Sequence, residues 1–530
     1  MALMASSEYR VAAVETPVER SADQPRGRDV DRATEAARRV RDFLIRANYT
    51  EQGFRRAGVA VAPVLRRREL PAVVQALGAE EPLSSLIRVF ALGLDADRRA
   101  AEQMLGDAHG AFVRLGLVER HGRRTRGSLQ LTPWEGLVVA HDAAGDVIRR
   151  DHVLGPVASS RTLAQLTVRA SVSNALDLGT GSGVQALLAA RHAKRVVATD
   201  INRRALAVTA LNAQLNDVRN IEVRGGNLFE PVTGERFGLV VSSPPFVISP
   251  DDGYLFRDAA MNRDEISRSI VVQAGEHLDV GGFATVVLNW VQRRGEDWPD
   301  RPAEWTSGIG CDALLIHYAT EDTTAYASRW NAHLKAQAGA RYRGAVDRWL
   351  SYYHREGIET IASGAVVLRG TDRSPWMQAI QMEFGCSMNA GRQIQTIFAN
   401  RDFLASLRTD DELLTGVIRP VSGTRLDRGH ADRAGGEVAA APALVRPDGL
   451  GVRGRFHAPW LADVLLRPDG SRNLGETVDA VARDAGADVD AWRRDAVRSV
   501  RLLLERGLLE ARVTGRAQSR AVALGSPRIL

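Results

Sequence analysis

Three apolar runs near the middle of the chain each stop at a sharp polar or proline-rich break. Ala175-Leu176-Asp177-Leu178 runs into Gly179-Thr180-Gly181-Ser182-Gly183, Arg195-Val196-Val197-Ala198-Thr199 ends at Asp200, and Phe237-Gly238-Leu239-Val240-Val241-Ser242 ends at Ser243-Pro244-Pro245-Phe246. Short continuous apolar runs bounded by breakers read as buried strands. Their alternation with helical-period segments predicts a parallel, doubly wound α/β sheet. Strands are expected near 174–178, 195–200, 220–224, 238–242, 283–289, 311–317 and 360–368, with a helix over Gly155–Ala170 ahead of the first. Between the sixth and seventh lies an insertion of two helices, about 322–356, holding Trp330, Tyr342, Trp349, Tyr352 and Tyr353. Such a set could line a substrate groove, but at helical spacing it reads as core.

The flanks have a different pattern. Residues 1–28 are polar and aperiodic, the pattern of a disordered tail. From Asp29 the spacing turns helical through Val40, Phe43, Leu44, Phe54 and Val59. Three short amphipathic helices follow, around 83–90, 100–105 and 111–118. A basic turn, His121-Gly122-Arg123-Arg124-Thr125-Arg126, leads into strand-like runs at Ser128–Leu131 and Gly136–Ala140. Within 29–150 this is the outline of a winged helix, whose arginine wing suits nucleic acid or, equally, a solvated hairpin packed on the central unit. Beyond Arg369 a helical segment is expected to hold Trp376, Met377, Met382 and Phe384, followed by a helix over Gly391–Phe403. Residues 421–436 read as a linker, and 459–466, 475–485 and 490–510 as the helices of a second winged-helix-like module in 371–530.

Composition narrows the classes. The 530 residues are 45% hydrophobic and 25% charged, ordinary for a globular chain of several domains. The formal charge of +6 permits an acidic partner. Lysine occurs only at Lys194 and Lys335, so arginine usage throughout the chain is the plainer source of that charge. Cys311 and Cys386 stand far apart without a Cys/His cluster, which indicates neither a disulfide framework nor a metal site and points to a reducing cytoplasm. No run of 18 apolar residues exists, so neither a membrane span nor a secretory signal is expected.

The order Asp177-Leu178-Gly179-Thr180-Gly181-Ser182-Gly183, then Ala198-Thr199-Asp200, then Ser243-Pro244-Pro245-Phe246 resembles the class I S-adenosylmethionine-dependent methyltransferases. The last motif is similar to the Asn/Asp/Ser-Pro-Pro-Tyr/Phe/Trp signature of enzymes that methylate planar amino nitrogens. With Asn227-Leu228-Phe229-Glu230-Pro231, the motif order looks most like the HemK-type glutamine methyltransferases and the small-domain rRNA guanine methyltransferases. The resemblance covers about 150–370. It implies a Rossmann-like, seven-stranded methyltransferase domain over 151–370, with 360–368 as the antiparallel seventh strand.

The resemblance also implies S-adenosylmethionine as donor, held by Asp177, Gly179, Thr180, Gly181, Gly183, Asp200, Ile201, Asn227 and Leu228. The residues argue in the same direction. The glycines let backbone approach a ligand, and an acid about 20 residues after them meets a ribose diol. Asp177 inside the strand end argues against a dinucleotide dehydrogenase. For Ser243, Pro244, Pro245 and Phe246, the prolines fix where the first carbonyls point. The Ser243 oxygen and Pro244 carbonyl then accept the protons of a substrate amino group while Phe246 stacks on its plane. Serine stands where the glutamine and guanine enzymes usually carry asparagine, so the acceptor stays open among RNA, DNA and a protein glutamine. The alternative is a non-catalytic protein that senses an adenosyl ligand and binds nucleic acid; it has no use for an intact Ser-Pro-Pro-Phe.

Overall fold

The computed structural model describes residues 27–59, 73–75, 77, 82–143, 149–251, 253, 264–336, 339–427, 443–456, 460–465 and 473–512. The aperiodic tail lies almost wholly outside these residues, as does most of the stretch read as a linker.

The N-terminal unit opens with the helices Gly27–Arg46 and Glu51–Arg56. After Pro82–Leu86, which runs on as a π turn to Ala91, come β1 (Ala96–Asp97) and the helices Arg98–Leu105 and His109–Arg114. β2 (Val118–His121) and β3 (Arg124–Gly127) complete a three-stranded sheet in the order β1-β3-β2. The segment read as a basic turn is mostly strand. Only Gly122 and Arg123 turn, because Gly122 takes a φ of +60°. A second hairpin, β4 (Gln130–Trp134) with β5 (Leu137–His141), leaves an edge that the central unit covers. Two asparagines of the helix Arg203–Leu215 and its C-terminal turn imitate a strand there. Asn212 exchanges bonds with Ala140 N and O at 2.7 and 2.9 Å, and Asn216 with Val138 N and O at 2.9 and 2.8 Å. The unit is therefore docked by satisfied backbone groups as well as by the apolar contact of Leu215 with its core.

The central sheet comprises β6 (Val172–Leu178), β7 (Ala193–Asp200), β8 (Ile221–Gly225), β9 (Phe237–Ser242), β10 (Leu278–Gln292), β11 (Cys311–Asp322), β12 (Thr360–Gly370) and β13 (Met377–Gln381). Their order is β13-β11-β12-β10-β9-β6-β7-β8, and β12 runs antiparallel to both neighbours. The sheet is thus Rossmann-like, as expected, but has eight strands instead of seven. β13 pairs parallel with β11 from Ala313 opposite Met377 to His317 opposite Gln381, inside a stretch read as helical. Five residues with one buried apolar side chain, Ile380, are too few for a period to declare itself, and pairing to the exposed edge of β11 decides the conformation.

One face of the sheet is covered by the helices Ala158–Leu166, Val184–Ala189 and Ala390–Ser406, the other by Glu265–Glu276 and Asp300–Thr306. Ile394, Ile397 and Phe398 join the first layer, so the core continues past 370. The fully buried Asp312 of β11 accepts from Arg369 and Arg373, both of which also reach Asp402 on that helix. Further on, the capping box of Asn473 and Glu476 starts the helix Leu474–Asp484. The following helix, Val489–Glu505, is shorter than the expected 490–510. Gly507 at a φ of +62° ends it, and the chain returns as Leu509–Arg512, antiparallel to Val417–Pro420. The leucines at 508 and 509 extend the helical period in sequence although the chain has already turned.

Candidate active site

A cavity of about 360 Å³ opens at the carboxyl ends of β6, β7 and β9, where ligands bind in open parallel sheets. Gly179 and Gly181, at φ values of +71° and +58°, carry the chain out of β6 in a conformation that side chains rarely adopt. A Cβ at either would meet nothing, so the backbone faces open space there. Gly183 differs from them. It does not line the cavity, and a Cβ on it would come within 2.8 Å of Thr209, so it serves the close packing of two helices instead of a ligand. The helix Arg203–Leu215 holds the loop from behind, with Thr209 Oγ1 donating to Gly181 O at 3.1 Å and Asn212 Nδ2 to Ser182 O at 2.8 Å.

Two carboxylates face this loop. Asp177 is buried and accepts from Thr180 Oγ1 at 2.7 Å and Ala186 N at 2.9 Å. Burial, reinforced by the charge of Asp200, pushes its carboxyl up to about 7. Asp200 accepts from Asn202 N at 2.8 Å and Gly181 N at 3.0 Å, and burial raises it too, against those bonds. The nearby Arg204 is engaged by Asp142. A carboxylate has about four acceptor sites, so Asp200 retains capacity for ligand hydroxyls, and the pair favours a ligand that brings positive charge. Thr180, Ile201, Asn227 and Leu228 also line the cavity. Leu228 sits at a φ of +45°, a costly conformation for a side-chain-bearing residue and one that clusters at ligand sites. Asn227 is exposed, with its N–H on Glu230 Oε2 at 3.2 Å.

Ser243, Pro244, Pro245 and Phe246 form the other end of the same cavity. Ser242 Oγ donates to Leu178 O at 2.9 Å, which fixes the end of β9 to that of β6. The insertion pins the chain that follows. Tyr326 Oη accepts from Ile248 N at 3.2 Å and from Asn289 Nδ2 at 2.8 Å, and Tyr353 Oη donates to Ile248 O at 2.7 Å. Asp251 accepts from Trp349 Nε1 at 2.8 Å and pairs with Arg348 at 2.7 Å. Trp349, Tyr352 and Tyr353 are core, as their spacing suggested, and Tyr326 joins them, whereas Trp330 reaches the cavity.

Sequence reasoning missed the wall contributed by the segment 152–160. His152, Val153 and Leu154 line the cavity. Val153 N donates to Asp142 Oδ2 at 2.8 Å, Asn202 Nδ2 to Asp151 O at 3.0 Å, and burial lowers the His152 imidazole. Gly155 passes so close to His141 that a Cβ would lie 2.6 Å from its ring. The helix expected over Gly155–Ala170 begins only at Ala158, and 152–157 run ahead of it as irregular chain. Among the described residues no group of three His, Cys, Asp or Glu side chains is arranged to hold a metal, and no helix is long and apolar enough to cross a membrane. On the distant wing, Arg120, Arg124 and Arg126 are exposed, with carboxylates no nearer than 3.7 Å.

Residues 157–295 match the family described as methyltransferase small domain. The release factor glutamine methyltransferase of Xylella fastidiosa (strain 9a5c) is 38% identical over 176 residues, 32% of this chain and 62% of that protein. Ribosomal RNA small subunit methyltransferase C of Alcanivorax borkumensis is 29% identical over 114 residues, 22% of this chain and 31% of that protein. A solved methyltransferase from Pyrococcus furiosus aligns with 39% of this chain and 80% of its own, at 16% identity and a TM-score of 0.25. The chain spans about three-fifths of the length of the release factor glutamine methyltransferases of the two Xylella fastidiosa strains it matches.

Proposed function

We propose that the protein, whose residues 157–295 match the methyltransferase small domain, is a class I, HemK-like enzyme that transfers a methyl group from S-adenosylmethionine to a planar amino nitrogen of a macromolecule. The observation that carries this reading is that the glycine turn, Asp200 and Ser243–Phe246 line one cavity. The residues present suit the donor. Asp200 has acceptor sites left for a ribose diol, Gly179 and Gly181 leave the backbone bare, and the raised carboxyls gain from a sulfonium and an ammonium group.

Bound S-adenosylmethionine supplies a methyl group already activated by its positive sulfur. The protein then has to align the acceptor and exclude water. Ser243 Oγ and the Pro244 carbonyl accept hydrogen bonds from the two amino N–H groups, which turns the nitrogen lone pair out of the conjugated plane towards the methyl, and the nitrogen's surplus proton leaves to solvent after transfer. Phe246 covers the plane of the acceptor. The tyrosine grip on Ile248 keeps the turn from relaxing, so its acceptors are already oriented when charge develops.

Relatives named for glutamines of release factors and of ribosomal protein uL3 support a protein carboxamide as acceptor. A base in RNA is the second reading, supported by the rRNA enzyme among the relatives and by the exposed arginine hairpin. Incubating the full chain with methyl-labelled donor and cell extract separates them. Label that survives nuclease and is released by protease supports the carboxamide, the reverse supports RNA, and no label in any fraction contradicts the activity.

A further inference from the structure

The insertion between β11 and β12 brings one side chain to the reaction cavity, and that side chain has a polar atom the fold does not use. Trp330 ends the helix Thr323–Trp330 and lines the cavity together with Ser243–Phe246. It is held in place. The Arg329 guanidinium lies 4.9 Å from its ring centroid, Tyr326 packs at 6.1 Å, and the Asn331 side chain closes the helix end on Ala327 O at 3.0 Å. Its indole Nε1 is nevertheless buried without a hydrogen-bond partner among the described residues, whereas buried indole N–H groups nearly always find an acceptor. The other polar groups of the insertion described above, on Tyr326, Trp349 and Tyr353, are committed to gripping 248–251. Among the described residues only Thr199 Oγ1 shares this condition on the cavity wall, and it adjoins Asp200.

A carboxamide entering beside Ser243 and Pro244 presents an amino group to their acceptors. It also presents a carbonyl oxygen, which burial would leave unsatisfied without a donor. We propose that Trp330 Nε1–H donates to that oxygen, making Trp330 a specificity residue for a glutamine carboxamide. This rests on the amino-methyltransferase reading. Cavity size argues for the carboxamide over a base, because about 360 Å³ is near the low end for ligand pockets and must first take a nucleoside-sized donor. The space beside it suits a side-chain amide better than a flipped nucleotide.

The test uses the full chain saturated with S-adenosylhomocysteine and follows the indole N–H resonances by NMR as N-acetylglutamine amide is added. One resonance is expected to move downfield, the one missing from Trp330→Phe, with Trp330→Tyr as substitute if that variant does not fold. In turnover, Trp330→Phe is expected to lower methyl transfer to protein about tenfold at limiting acceptor with donor affinity retained. An unmoved resonance overturns the proposal, as does one that responds to cytidine or adenosine and ignores the carboxamide. A shift in the parent together with no methyl transfer to any macromolecule would sink the methyltransferase reading while leaving the carboxamide contact standing.

Discussion

The end of the cavity proposed for the donor draws mainly on three short stretches, 177–182, 199–205 and 226–228, while the end proposed for the acceptor joins Ser243–Val247 to Trp330 from a separate element. The donor end is largely backbone. Its turn is fixed by left-handed glycines, and its acids are pinned by N–H groups of the adjoining loops and of the helix Val184–Ala189. The acceptor end is a side-chain assembly whose geometry depends on a grip from tyrosines some 80 to 100 residues downstream. On the proposed reading a local motif fixes the donor site almost alone, whereas the acceptor end leans on an insertion distant in the chain.

If that division holds, damage at one end should leave the other intact. The largest effect is expected for Asp200→Ala. Loss of two charge-assisted hydrogen bonds of about 1.5–3 kcal/mol each should weaken donor binding by about a hundredfold or more, as read by calorimetry. Unchanged affinity would remove the ribose assignment. Ser243→Ala should show the opposite signature, with turnover down about tenfold or more and donor affinity retained, since the contact matters only as transfer occurs. Equal losses in both quantities would merge the two ends into one unit.

Smaller and more indirect is Tyr353→Phe. It leaves the buried carbonyl of Ile248 without its donor and should cost about 1–3 kcal/mol in denaturant unfolding, along with some turnover, while calorimetry finds the donor bound as before. A drop in donor affinity with turnover per bound donor preserved would break the comparison. The smallest effect is in pH. The carboxyl of Asp177 lies at about 7 in the protein alone, and a cationic donor favours its ionised form, so binding releases a proton below that value. Donor affinity should therefore rise as pH increases through 7 and level off above it, by at most about tenfold per unit, and Asp177→Asn should flatten the profile.

The two ends also differ in how far they could be read in sequence. Asp177, Asp200 and Ser243–Phe246 were legible because a strand end, a breaker and a functional group coincide within a few residues. Gly183 shares that motif but packs against Thr209, a distinction visible only once the helix Arg203–Leu215 is in place. Trp330 looked like Trp349 and Tyr353 by spacing, since periodicity reports the face of a helix and not what lies beyond its last turn. β13 and the 152–160 wall were hidden for a related reason: both owe their conformation to partners distant in the chain, β11 in one case, Asp142 and Asn202 in the other.

The central claim is that one cavity carries out methyl transfer to a planar amino nitrogen, and the atom that receives the methyl tests it most directly. Isotope-labelled donor, the full chain and cell extract should yield product in which mass spectrometry and NMR place the methyl on an amide or exocyclic nitrogen, with the yield falling sharply in Ser243→Ala. Methyl recovered on carbon or oxygen, or a yield indifferent to Ser243, would contradict the account.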